Sequence, residues 1–188
     1  WDNKNADWQL DKTYKLIHGI QPGCMIGGNH HQAPKPGEDF QMFEKDLPGF
    51  NTTGFSGEAR IGELALETCE TMNNSWGFNL RDKEYKSSAD LIRYLVKAAG
   101  YNSNFLLNVG PMPSGKIQPE FVDTLKVIGK WMHGFGETIY GTRQGPVPPK
   151  NWGGTTQKGA RIFIHVLNPQ DRMLYIPKNE KKVDSVIE

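Results

Sequence analysis

The chain has few of the features that would assign it at once to a specialised class of protein. Of its 188 residues only two are cysteines, and 22 Lys and Arg residues nearly balance 21 Asp and Glu residues, for a net charge of +1. Cys24 and Cys69 make neither a disulfide framework nor a metal-binding set. The near-zero charge argues against nucleic acid or an anionic membrane as the main partner. No apolar run is long enough to cross a bilayer, and residues 1–8 lack the apolar core of a signal peptide.

The most informative segment is NFLLNVGPMPSGKI, residues 104–117. It starts with a short apolar run that is typical of a parallel strand covered on both faces, and Asn108 interrupts this run near its carboxyl end. The Gly and Pro residues from Gly110 onward then end the strand and fix the loop. Barrel enzymes carry their reacting groups at such junctions, so we expect a functional site there.

Helices and strands alternate through the first three quarters of the chain. Apolar residues at helical spacing, a capping serine and an opening Pro119 support the second and third helices. The predicted elements are a helix at 11–20, a strand at 24–28, a Pro/Gly-rich segment at 29–63, a strand at 64–69, a helix from Ser87 or Ser88 to Gly100, a strand at 104–109 and a helix at 119–134.

The last part of the chain has a different composition. Residues 141–158 are rich in Gly, Pro, Gln and Lys without periodicity, which indicates a connection to a new unit. Alternating residues then predict strands at 161–167, 172–176 and 182–187.

These elements predict an α/β fold. Three β/α units cannot close a parallel barrel, which needs eight, and an open half-barrel would expose its strand edges. We therefore expect residues 1–143 to be the second half of a (β/α)₈ TIM barrel and residues 144–188 to be a linker and the first strands of a β-rich domain. A doubly wound parallel sheet is the structural alternative.

Acidic side chains dominate the predicted carboxyl ends of the strands. One carboxylate of a pair attacks or activates water in glycoside hydrolysis while the other protonates the leaving oxygen, so paired carboxylates suit that reaction. Each also has a simpler interpretation as a solvated residue or the partner of a cation, as Glu44 beside Lys45 illustrates. The candidates are Glu38, Asp39, Glu44, Glu67 and Glu70.

Two histidines and a tryptophan accompany these carboxylates. Adjacent residues at a strand end point to opposite sides, so His30 and His31 are not expected to share a metal ion, and no metal is predicted. Hydrogen bonds to the hydroxyls of a neutral ligand, or a structural role, are the open interpretations of the pair. Trp76 either stacks on a sugar face or packs in the core. A metal-dependent hydrolase that uses His30, Glu38 and Asp39 is a further alternative, which predicts inhibition by chelators.

Three segments together resemble a known family. LETCETMNNSWGF at 66–78, NFLLNVGPMPSGKI at 104–117 and GETIYGT at 136–142 look like the retaining α-L-fucosidases of glycoside hydrolase family 29, and the resemblance covers nearly the whole chain. It implies a (β/α)₈-like catalytic domain followed by a β-sandwich, which removes terminal α-L-fucose from fucosylated glycans through a covalent fucosyl-enzyme without a cofactor. It also implies that this chain works with the remainder of its own catalytic domain and that the protein is exported to the periplasm, the cell exterior or the lysosome.

The resemblance also implies roles for individual residues. The family nucleophile is an Asp in a Trp-x-Asp-Gly-like motif just before the segment that matches Trp1-Asp2. This chain lacks that motif and Asp2 fits it poorly, so the nucleophile is expected a few residues upstream. The acid/base is assigned to Glu44, with Glu67 and Glu58 as rivals.

The same resemblance predicts the residues that bind the sugar. His30 and Trp76 are expected to touch fucose, Trp1 to line the pocket, and His31 to be a further candidate. A sugar-binding or structural module that retains Trp76 and His30 but lacks the nucleophile is the competing interpretation. The two differ in whether an Asp-containing strand precedes Trp1.

Overall fold

The computed structural model describes residues 6–54, 56–57, 59–169, 172–174, 176 and 183–186. Within these ranges the chain forms a parallel sheet with helices, followed by a small antiparallel sheet. The helices are α1 (Leu10–Ile20), α2 (Ser88–Gly100) and α3 (Pro119–Phe135), and a 3₁₀ turn follows at Gly136–Thr138. The strands are β1 (Gly27–Gly28), β2 (Phe40–Glu44), β3 (Ala65–Thr71), β4 (Ser103–Asn108), β5 (Arg143–Gln144), β6 (Gly153–Lys158) and β7 (Arg161–Val166).

The parallel sheet follows the order of the chain. Its strands lie in the order β1-β2-β3-β4, and every neighbouring pair is parallel. Glu44 of β2 is level with Cys69 of β3, which is level with Leu106 of β4, so these three side chains lie on one face. All carboxyl ends of the strands therefore meet at one edge of the sheet.

The helices begin and end for local reasons. The Ser87 side chain caps α2 by accepting a hydrogen bond from Asp90 N at 3.1 Å, and Pro119 opens α3 where its missing N–H costs nothing. Leu91 of α2 and Phe121 of α3 pack with Met72, which follows β3, in a fully buried cluster. Burial of this cluster fixes the two helices against each other and against the end of β3. In the described part of the chain no helix is both long and apolar enough to span a bilayer.

The α/β fold and most predicted elements are confirmed. Both helix starts, at Ser87 as the cap and at Pro119, agree with the structure, as do the positions of β3, β4 and β7 within a few residues. The strand predicted at 24–28 is shorter than expected, since only Gly27 and Gly28 pair with a neighbour.

Other predictions about the strands are wrong. The segment 29–63 contains β2, and the segment 141–158 contains β5 and β6, although both were predicted as connections. Neither the described residues 172–174 and 176 nor the described residues 183–186 belong to a strand, so the predictions for 172–176 and 182–187 fail there. Residues 177–182, 187 and 188 lie outside the described residues.

Candidate active site

Polar side chains gather where the four parallel strands end. Asn29, His30 and His31 follow β1, Glu44 is the last residue of β2, and Asn108 is the last residue of β4. The loop that carries Trp76 follows β3. This is the edge at which α/β enzymes place their reacting groups, so the sequence and the topology indicate the same location.

Glu44 lies between the ends of β1 and β3 on the face shared with Cys69. Its Oε2 accepts a hydrogen bond from Asn29 Nδ2 at 3.3 Å, and the same oxygen lies 3.6 Å from His31 Nε2. The Glu44 and His31 side chains are 19% and 21% exposed, so both reach solvent while contacting protein. A carboxyl group in such a position is able to exchange a proton with a bound molecule.

His30 faces a different carboxylate. Its Nε2 lies 2.6 Å from Glu38 Oε1, and its Nδ1 accepts a hydrogen bond from the backbone N–H of Gln32 at 3.2 Å. Because Nδ1 is an acceptor, the ring carries its proton on Nε2 and donates it to Glu38. The two histidines thus contact separate carboxylates, as the alternation of adjacent residues predicts.

Glu38 is a buried anchor for the segment after β1. Its carboxylate also accepts hydrogen bonds from Tyr14 OH at 2.9 Å and from Lys35 N at 2.9 Å, and its side chain is inaccessible to solvent. A Cβ atom at Gly28 would lie 2.5 Å from Glu38 Oε2, so any side chain at the end of β1 would displace the Glu38 carboxylate. Burial, followed by the contact with Glu38, raises the pKa of Tyr14.

The three residues of the metal alternative do not converge. Asp39 turns away from Glu38, because its Oδ2 accepts from Ile26 N at 2.7 Å and lies 3.4 Å from His18 Nε2. No group of three His, Cys, Asp or Glu side chains among the described residues is arranged to hold a metal ion.

Trp76 is fixed at the same edge by its backbone and its ring. Asn108 Nδ2 donates to the Trp76 carbonyl at 2.7 Å, and a Cβ at Gly110 would lie 2.5 Å from the backbone of Gly77. The Lys45 ammonium lies 5.2 Å from the centre of the indole ring and donates to Asn74 O at 3.1 Å. Trp76 as a whole is 38% exposed, so it is a partly open aromatic residue rather than a core residue.

The remaining carboxylates lie elsewhere. Glu67 is level with Met42, two residues below Glu44, or about 7 Å along the strands. Its Oε2 accepts from Asn104 Nδ2 at 2.7 Å. Glu70 is buried and paired with Lys86 at 3.2 Å. Trp1, Asp2 and Glu58 lie outside the described residues.

Two residues of this edge had no role in the sequence-based prediction. Asn29 contacts Glu44 directly, and Lys45 contacts Trp76 instead of its neighbour Glu44. The position of Asn29 immediately after a predicted strand was an available signal. The direction of Lys45 follows from its left-handed backbone, with φ of 54°, which the sequence does not reveal.

The chain is similar to known proteins of one family. The family model for α-L-fucosidase matches residues 1–137. The tissue α-L-fucosidase of Bos taurus is 35% identical over 107 residues, 54% of this chain and 23% of that protein, and the tissue α-L-fucosidase of Homo sapiens is 32% identical over 116 residues, 57% of this chain and 25% of that protein. The solved structure of α-L-fucosidase isoenzyme 1 from Paenibacillus thiaminolyticus has a TM-score of 0.73 and 32% identity, over 93% of this chain and 41% of that one. The chain thus spans about a quarter of the length of these curated relatives, and it belongs to the α-L-fucosidase family.

Proposed function

We propose that this chain is part of an exo-acting α-L-fucosidase, which removes terminal α-L-fucose from fucosylated oligosaccharides or glycoconjugates with retention of configuration. The family match over residues 1–137 supports the reaction and the substrate class. The observation that carries the mechanism is the position of Glu44 at the carboxyl edge of the sheet, partly exposed and held from the end of β1.

The proposed architecture is the second half of a (β/α)₈ barrel in residues 1–143, completed by the remainder of the catalytic domain. The strictly sequential order of β1 to β4 supports it, because a doubly wound sheet reverses its strand order at a switch point. Residues 144–188 are proposed as a linker and the first strands of a β-sandwich. The antiparallel pairing of β6 with β7 supports a separate β-rich unit.

Glu44 is the proposed acid/base. Its rival Glu67 is fixed deeper in the sheet by Asn104 and lies farther from the edge where a sugar would bind, which favours Glu44. Glu58 remains a rival on sequence grounds.

The reaction then has two displacements. An Asp carboxylate from a segment upstream of Trp1 attacks the anomeric carbon, the glycosidic C–O bond breaks, and protonated Glu44 gives its proton to the departing oxygen. Ionised Glu44 next takes a proton from water, which attacks the same carbon and releases the Asp. Two inversions at one carbon give net retention. No cofactor enters either step.

Sugar binding is proposed for Trp76, His30, His31 and Trp1. The partly exposed indole of Trp76 supports stacking on the apolar side of the ring. Both nitrogens of His30 are engaged within the protein, so we propose that it lines the pocket with its ring edge. By family similarity we also propose that the protein is exported to the periplasm, the cell exterior or the lysosome, which fractionation of the source cells tests.

Turnover of an aryl α-L-fucoside by the intact protein tests the proposed activity, with the β-L-fucoside and the α-D-galactoside as controls. Selective hydrolysis of the α-L-fucoside, with α-L-fucose as the first anomer seen by NMR, is expected. Saturable fucose binding without hydrolysis would instead support the binding module.

The Glu44→Gln variant tests the acid role. We expect kcat/KM to fall by about 10²–10⁴-fold for fucosides with poor leaving groups, because these need protonation. A dinitrophenyl fucoside needs little protonation and should lose far less. Equal losses for both substrates would contradict the assignment.

A further inference from the structure

The two carboxylate oxygens of Glu44 lie in different surroundings. Oε2 is contacted by Asn29 Nδ2 at 3.3 Å and by His31 Nε2 at 3.6 Å, both from the segment after β1. Among the residues that the structure describes, Oε1 makes no hydrogen bond and no ion pair. Protein side chains thus contact Oε2 of the carboxyl group, whereas Oε1 is available to a bound molecule.

This asymmetry determines where an acidic proton resides. The amide nitrogen of Asn29 is a donor at every pH, so the oxygen in front of it serves as an acceptor in both protonation states of Glu44. A proton on Oε2 would face the hydrogens of the Asn29 amide. The protonated carboxyl group therefore carries its proton on Oε1.

We propose that Asn29 and His31 are positioning residues, which hold Oε2 of Glu44 so that Oε1 delivers the proton to the glycosidic oxygen and later accepts one from water. This inference rests on the proposed role of Glu44 as the acid/base. It gives His31 a task toward Glu44 in place of the contact with the sugar considered above.

The segment that carries these two residues is built to be rigid. His31 has a left-handed backbone with φ of 59°, a conformation that few non-glycine residues adopt and that persists only where the surrounding structure holds it. Beside it, His30 is fixed to the buried carboxylate of Glu38, which is bonded to Lys35 N as well. Side chains that orient a reacting group act best from such a fixed support.

Asn29→Ala and His31→Asn in the intact protein test the proposal. Asn tolerates the left-handed backbone at position 31 and is too short to keep the contact, and Asn29→Ser is the second variant if Asn29→Ala does not fold. For a fucoside with a poor leaving group we expect kcat/KM to fall by about tenfold in each variant through kcat, with KM within about twofold. For a dinitrophenyl fucoside kcat/KM should change by less than about twofold.

A double-mutant cycle with Glu44→Gln provides the decisive comparison. Residues that act only through Glu44 cause little further loss once Glu44 is replaced, whereas residues that bind the sugar cause a loss that multiplies with it. His133→Gln, an exposed histidine of α3, is the matched control and should behave as the wild type.

The outcomes distinguish the positioning role of Asn29 and His31 from the acid/base role of Glu44. Equal losses on both substrates for Asn29→Ala and His31→Asn, or losses that multiply with that of Glu44→Gln, overturn the positioning role. Equal losses on both substrates for Glu44→Gln itself overturn the acid/base assignment instead.

Discussion

Replacing Gly110 by alanine should displace the loop that carries Trp76 and so disturb the candidate site. An added Cβ would lie 2.5 Å from the Gly77 carbonyl carbon and 2.6 Å from Phe78 N, whereas ordinary contacts begin near 3.4 Å. The loop of Trp76 or the end of β4 must therefore move by about 1 Å, and both contacts are with backbone, which cannot rotate away as a side chain can. Overpacking of this kind costs about 1–3 kcal/mol of folding free energy. A shift of about 1 Å near bound substrate costs up to about 10²-fold in rate.

Gly129→Ala is the matched control for this variant. Gly129 lies in α3 with no atom within 4 Å of a Cβ, so alanine should stabilise the helix by about 0.5–1 kcal/mol. The two substitutions therefore have opposite expected signs. Urea unfolding and kcat/KM for an aryl α-L-fucoside measure both. Wild-type stability together with wild-type kcat/KM in Gly110→Ala would refute the close packing of the two loops.

Three further variants test the supports of the site and the core. Glu38→Gln sets an amide against the donors Tyr14 and His30, and should cost about 1–3 kcal/mol in urea unfolding; a neutral result would contradict the buried network. Leu91→Ala should cost about 2–5 kcal/mol in the same assay, because Leu91 is 1% exposed in the core cluster, and a loss below about 1 kcal/mol would mean that this core is loosely packed. Burial alone would raise the pKa of Asp46. Hydrogen bonds from Thr52 and Thr53 outweigh burial and hold this pKa below its usual value. Ionised Asp46 therefore stabilises the fold above its unfolded pKa of about 3.9, and this stability is lost as the pH falls through the folded pKa. Asp46→Asn should for that reason flatten the decline of the unfolding free energy below about pH 5. An unchanged slope would contradict this.

The helices could be predicted because their signals are local. Helical spacing of apolar residues, Ser87 as a cap and Pro119 at a helix start act within one or two turns of chain. The edge that carries the candidate site could also be predicted, because the carboxyl ends of parallel strands lie at the same edge of a sheet.

The missed strands lack a periodic signal for physical reasons. The buried face of β2 (FQMFE) carries Gln41 beside Phe43, and Phe40 and Met42 lie on the half-buried face, so the apolar residues do not alternate with polar ones. Gln41 is tolerated there because it donates to Arg60 O and accepts from Gly62 N. β6 begins Gly-Gly-Thr-Thr, and its buried Thr155 is satisfied by the backbone of Val147. Both strands are defined by partners that are distant in sequence.

The detailed contacts of the site could not be predicted from the sequence either. Glu38 and Glu44 are both acidic residues of one Pro/Gly-rich segment. The side chain of Glu38 is buried and binds His30, whereas that of Glu44 is partly exposed at the edge of the sheet. Left-handed backbone at His31 and Lys45 decides which side chains meet. Histidine is only enriched in that conformation and lysine is not, so neither position can be predicted from its residue type.

Chemical rescue of Glu44→Ala tests the central claim most directly. Azide is a nucleophile that needs no general base, so it should restore the turnover of a dinitrophenyl α-L-fucoside by the intact variant and give α-L-fucosyl azide, because two displacements retain configuration. Glu67→Ala should show no such rescue. The absence of rescue in Glu44→Ala, a β-configured azide, or rescue of Glu58→Ala in its place would contradict the assignment of Glu44 as the acid/base.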